Sequence, residues 1–106
     1  MAPELEVAVL TARFDAAPGS EEALAAALAR YVVLTRNVAA CRNVDLVASA
    51  TQGGRLLVVE KWDSPADVQA HLDSALMAEM ARAVVPLLAE KPEIDLFDTI
   101  SAHDLA

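Results

Sequence analysis

Arg55-Leu56-Leu57-Val58-Val59-Glu60-Lys61-Trp62, followed by Asp63-Ser64-Pro65-Ala66-Asp67, decides the fold. Its first eight residues are rich in branched aliphatics and end on an aromatic, the composition of a strand. A helix opens at once behind it. Ser64 stands at the N-cap, Pro65 at the first helical position, and Asp67 closes a capping box. Downstream, Val68, Leu72, Leu76, Met80 and Val84 recur at spacing four, so the helix continues. Asp73-Ser74 is a candidate kink, and Pro86 ends the helix near Val85. Residues 93–101 form a last strand, with Ile94, Leu96 and Ile100 on one face.

Upstream, Gln52-Gly53-Gly54 is a hairpin signal that joins the decisive strand to a weaker one over 42–49. Before that, Ser20 caps a helix that runs to about Arg36. Glu21 and Glu22 suit the positive end of its dipole, and Leu24, Leu28, Tyr31, Val32 and Thr35 form its apolar stripe. Residues 4–14 read as the first strand, with Leu5, Val7 and Val9 on one face and Ala8, Leu10, Ala12 and Phe14 on the other. The order is β-α-β-β-α-β. This is the split βαβ, or ferredoxin-like, α+β arrangement: a four-stranded antiparallel sheet with two helices on one side.

Composition agrees with one such domain over residues 1–106. The chain is 56% hydrophobic and 23% charged, too apolar for a disordered tail. Sixteen acidic against eight basic residues give a net charge of −8, which argues against nucleic acid and anionic lipid surfaces as partners. Charge interrupts every apolar run, so no membrane span is expected. The start, Met1-Ala2-Pro3-Glu4, has no basic segment or apolar core of a signal peptide. Cys41 is the one cysteine. Both features point to a cytoplasmic setting.

Both faces of the first and third strands are apolar: Leu56 and Val58 point one way, Leu57 and Val59 the other. Two helices cover one face. The face left over calls for a second copy packed sheet on sheet, so a homodimer is expected.

Several pieces of the chain resemble a known family. They are Pro18-Gly19 before the first helix, Cys41 at the second strand, Glu60-Lys61-Trp62-Asp63-Ser64 followed by His71-Leu72-Asp73-Ser74, and Pro86-Leu87-Leu88. Together they resemble the antibiotic biosynthesis monooxygenase domain, a dimeric α+β barrel family, over nearly the whole chain. The resemblance implies a pocket in each subunit between the sheet and the second helix. It also implies oxygenation of a small phenolic, quinol or anthrone-like aromatic by O₂, with no metal, flavin or haem. Val38, Ala40 and Val44 depart from the family's usual Glu, Gly and aromatic around the cysteine. Two other functions suit the same fold: a module that binds a small aromatic without turnover, and an isomerase or dehydratase.

Each candidate residue has a structural alternative. His71, at the edge of the second helix's apolar stripe, is a general base or a histidine satisfied by a backbone or carboxylate partner. Trp62 either stacks on a ligand or closes the end of the core. Glu60, on the same strand face, either orients His71 or pairs with a cation, Arg13 foremost. Asn43 and Asp45 share a face of the second strand and are weaker candidates for ligand contact. Phe14 and Met80 are candidate pocket walls that also suit the core. Tyr31, Phe97 and Met77 read as core. Cys41 reads as a small buried residue, with nothing nearby in sequence to lower its pKa. His103-Asp104 reads as a solvated tail. His71, His103 and Cys41 are too few for a four-ligand zinc site, so no metal is expected.

Overall fold

A computed structural model describes residues 7–101. The elements run β1 (Ala8–Asp15), α1 (Glu21–Thr35), β2 (Cys41–Ala48), β3 (Arg55–Trp62), α2 (Pro65–Leu72), α3 (Ala75–Val84), a 3₁₀ turn (Val85–Leu87) and β4 (Glu93–Asp98). The four strands form one antiparallel sheet in the order β2-β3-β1-β4. The expected ferredoxin-like architecture is present. The first strand was expected from residue 4, and residues 4–6 lie outside the described residues, as does His103-Asp104.

The expected alternation in β1 holds. Ala8, Leu10, Ala12 and Phe14 are buried beneath the helices. In β3 the same face carries Val58, Glu60 and Trp62. Across the sheet, Leu10, Glu60 and Val44 form one row, because Leu10 pairs with Glu60 and Glu60 with Val44. A single carboxylate is thus held between two fully buried aliphatic side chains.

The second helix, expected to continue through a kink, is two helices. Asp73 ends α2, and Ser74 adopts an extended backbone (ψ 158°) with its hydroxyl accepting the Met77 N–H at 3.2 Å. A fresh N-cap, rather than a bend, makes the break. At the start of α2 the capping expectation is met: Ser64 Oγ accepts the Asp67 N–H at 3.2 Å and donates to Asp67 Oδ2 at 2.7 Å. Ser20 does not cap α1 through its side chain. Its backbone (φ −103°, ψ 5°) is not the extended shape that aims a hydroxyl at the first turn, and Glu21 accepts the Gly19 N–H at 2.9 Å instead. In the β2–β3 hairpin Gly54 sits at φ +75°, which glycine adopts without strain.

The helices cover β2, β3 and β1 and leave β4 bare. Helix α1 packs on β2, and α2 packs on β1 and β3. On β4, Ile94 (45%) and Leu96 (59%) are exposed on the helix side of the sheet and Phe97 (48%) on the other. Phe97, read as core, is a surface residue because it lies on the outer face of an edge strand, opposite Val9. Val47 is likewise exposed on the outer face. No helix of the described residues is long and apolar enough to cross a membrane.

Candidate functional site

The most polar part of the interior lies where the end of β3 meets α1 and α2. Parity along β3 turns Glu60 and Trp62 inward, to the helix side. The Ser64 cap then folds α2 back over the strand's end, and the spacing of three between Val68 and His71 brings both onto its buried face. His71 lands over Trp62, with ring centroids 4.4 Å apart and planes inclined by 33°. From α1, the stripe that buries Leu28 and Val32 also buries Tyr31, whose ring lies 5.8 Å from that of His71.

Three hydrogen bonds tie these side chains together. The Tyr31 hydroxyl donates to Glu60 Oε2 at 2.5 Å. The same hydroxyl oxygen lies 2.6 Å from His71 Nε2. The Trp62 indole N–H donates to Glu60 Oε1 at 2.9 Å. Glu60 is 1% exposed and His71 4%, so the network is shielded from bulk solvent. Burial is the main cause of every displaced pKa here. It pushes the Glu60 carboxyl up against the opposing pull of its Tyr31 and Trp62 hydrogen bonds. It pushes the His71 imidazole down and the Tyr31 phenol up, the latter reinforced by the Glu60 charge. The 3.6 Å approach of His71 Nε2 to Glu60 Oε1 is therefore a contact with a ring that burial keeps neutral, and not an ion pair.

Two cavities border the cluster. The larger, about 430 Å³, lies between α1 and α3 and is lined by Tyr31, Met80 and Leu76, with Arg30 and Arg82 among its charged residues. The smaller, about 190 Å³, is lined by Trp62, His71, Val38, Ala40, Ser74 and Leu76. Leu76 borders both, just after the α2–α3 break. The larger one is within the size of small-molecule sites.

The structure brings Trp62, His71 and Glu60 into contact and sets Met80 on the wall of the larger cavity. It does not bring Asn43, Asp45 or Phe14 to the cluster. Asn43 is exposed on the opposite face of the sheet, where its amide donates to Asp45 at 2.9 Å. A register shift between Cys41 and Asn43 pairs Asn43 with the outward Lys61. Phe14 is buried but lies at the far end of β1, opposite Leu56, whereas Trp62 pairs with Ala8 at the near end. The expected Glu60–Arg13 pair is absent, because Arg13 projects from the outer face and pairs with Glu93 at 2.6 Å. Cys41 is half-buried, and burial, followed by the Glu60 charge, pushes its thiol up to about 11. Tyr31, read as core, is the centre of the network. The available sign was a phenolic hydroxyl in the stripe: Thr35 satisfies its own hydroxyl on the Tyr31 carbonyl one turn back, whereas a buried tyrosine O–H needs a partner from elsewhere. Among the described residues no group of three His, Cys, Asp or Glu could hold a metal ion.

A family model described as antibiotic biosynthesis monooxygenase matches residues 8–83. Among solved structures, Rv0793 from Mycobacterium tuberculosis is 26% identical, with a TM-score of 0.85, covering 92% of this chain and 99% of its own. SO0527 from Shewanella oneidensis is 28% identical, with a TM-score of 0.82, covering 91% and 93%. PA3566 from Pseudomonas aeruginosa is 25% identical, with a TM-score of 0.83, covering 94% and 100%. No curated protein matches the sequence.

Proposed function

The chain belongs to the antibiotic biosynthesis monooxygenase family, and on that premise we propose that it oxygenates a small phenolic, quinol or anthrone-like aromatic with O₂. One observation carries the reading. A neutral histidine, buried against a tryptophan ring 4.4 Å away, borders a cavity while its Nε2 is held by Tyr31 and, through it, Glu60. This arrangement offers a base for an acidic O–H or C–H and a flat surface for the ring that carries it. Loss of the proton makes an electron-rich anion. That anion gives an electron to O₂, and the resulting pair recombines in a space that excludes water. For an anthrone the balance is one O₂ consumed, one oxygen atom placed in the quinone, and one water released.

His71 takes the proton and Trp62 holds the ring. Glu60 and Tyr31 fix the imidazole, Leu76, Val38 and Ala40 line the cavity beside it, and Met80 walls the larger cavity on the other side of Leu76. The test is oxygen uptake with anthrone and reduced naphthoquinols, no cofactor added and autoxidation subtracted. Uptake above background that falls in His71→Ala and Trp62→Phe is expected. Ligands that raise the melting temperature without oxygen uptake would assign the cavity to binding or to isomerisation instead.

The same reading includes a two-fold dimer, packed sheet on sheet, that covers Val47 and Phe97 on the outer face. Sedimentation equilibrium at the mass of two chains supports it, and a monomer at micromolar concentration contradicts it.

A further inference from the structure

The proton count of the buried cluster goes beyond the roles given above. A tyrosine hydroxyl has one proton to give. Tyr31 gives it to Glu60 Oε2, 2.5 Å away. Toward His71 Nε2, at 2.6 Å, the Tyr31 oxygen is therefore the acceptor, and Nε2 carries the ring's proton. Nδ1 is left as the basic nitrogen of a neutral imidazole. The three groups form a single file, His71–Tyr31–Glu60, whose far end is a carboxylate anchored by the Trp62 N–H.

We propose that Glu60, reached through Tyr31, is the final acceptor of the proton that a ligand gives to His71. The proposal rests on the reading that a ligand loses a proton in this cavity. The ligand's O–H or C–H bond breaks and an Nδ1–H bond forms. The Nε2–H bond breaks as the Tyr31 oxygen gains that proton, and the original Tyr31 proton passes to Glu60 Oε2. Charge balances: the ligand goes from neutral to −1, Glu60 from −1 to neutral, and His71 and Tyr31 end neutral. If the proton stopped at His71 instead, the buried site would hold an imidazolium and two anions, a far costlier arrangement. The directions set by burial agree, since it favours the protonated form of Glu60 and the unprotonated form of His71.

The other titratable groups around the file leave this route open. From β2, Cys41 keeps its proton at neutral pH, its thiol pushed up to about 11. From α2, Asp67 lines the same small cavity, but its carboxylate accepts the Ser64 hydroxyl. From α3 the shared lining residue is Leu76. Tyr31 is the group that α1 contributes.

The test needs no ligand. The full chain, labelled with nitrogen-15 histidine and with His71 assigned from a His71→Gln sample, is titrated from neutral pH downward. The expected result is an interchange of the two ring-nitrogen signals, as the proton moves from Nε2 to Nδ1. A carboxylic-acid carbonyl band appears in the infrared spectrum over the same pH range. Neither change occurs in Glu60→Gln, and Tyr31→Phe uncouples the two. Conversion of His71 to imidazolium while Glu60 stays ionised overturns the proposal, as does the lack of any interchange while the protein stays folded. A second arm uses 4-nitrophenol, whose anion has its own absorption band. Anion and acid carbonyl appearing together support the relay, and anion without acid carbonyl overturns it. Failure of 4-nitrophenol to bind counts against the cavity reading, and the ligand-free titration still decides the relay.

Discussion

Replacing Tyr31 by Phe removes one oxygen atom and leaves two buried polar atoms without their partner. Glu60 Oε2 loses a donor at 2.5 Å, and His71 Nε2 loses a neighbour at 2.6 Å. A hydrogen bond to a charged acceptor contributes about 1.5–3 kcal/mol and a neutral one about 0.5–1.5 kcal/mol. The expected cost at pH 8 is therefore about 2–4.5 kcal/mol, with little bulk solvent to offset it, because Glu60 is 1% exposed. For a domain of this size that lowers the melting temperature by roughly 10–20 °C.

The cost should depend on pH in a set direction. The Glu60 pKa is raised in the folded state, so its charge is a liability above that pKa, and stability returns as pH falls toward the ordinary value of 4.5. Tyr31→Phe removes a bond that favoured the charged form, which raises the folded pKa further and steepens the dependence. Thermal unfolding by circular dichroism, at fixed protein concentration and at pH 8 and pH 5, reads both effects. Equal losses at the two pH values, or a loss under about 1 kcal/mol at pH 8, would refute the claim that the hydroxyl serves a buried carboxylate.

Three further outcomes follow from other parts of the molecule. Burial lowers the His71 pKa below 6.5, so its contribution is present above pH 6.5 and lost as pH falls toward the folded value. His71→Gln should flatten that part of the stability–pH curve, as measured by urea unfolding at several pH values. Leu76 borders both cavities, so Leu76→Trp should abolish the thermal shift produced by 1-naphthol while leaving the far-ultraviolet spectrum unchanged. Gly54→Ala should cost about 1 kcal/mol through its φ of +75°, since the nearest atoms to an added Cβ are 3.8 Å away and do not clash. A larger loss in urea unfolding would mean that the hairpin itself rearranges.

Local signals with one outcome were legible in the sequence. The strand at 55–62 matched the structure residue for residue, because its ends are marked by Gly54 on one side and Ser64-Pro65 on the other. The α2–α3 break was visible as Asp73-Ser74, but a kink and a new cap look alike until the Ser74 hydroxyl finds the Met77 N–H. Strand parity placed Glu60 and Trp62 together, and helical spacing placed His71 on a buried face. Their meeting depends on how α2 folds back over β3, a long-range event that no local pattern carries. Tyr31 shows the limit most clearly. Its partners, Glu60 and His71, are 29 and 40 residues away, so its stripe read as plain core. Asn43 and Phe14 lie away from the cluster for different reasons. Asn43 has the wrong parity for the inner face, whereas Phe14 has the right parity at the wrong end of β1.

Isotope incorporation is the direct test of the proposal that the cavity beside His71 places an atom of O₂ into an aromatic ligand. Anthrone is incubated with the protein under oxygen-18 gas with no cofactor added, and the quinone is analysed by mass spectrometry against a protein-free control. Enzyme-dependent quinone carrying one oxygen-18 atom is predicted, with yield lost in His71→Ala. Quinone formed at the control rate, or unchanged by His71→Ala, would contradict it.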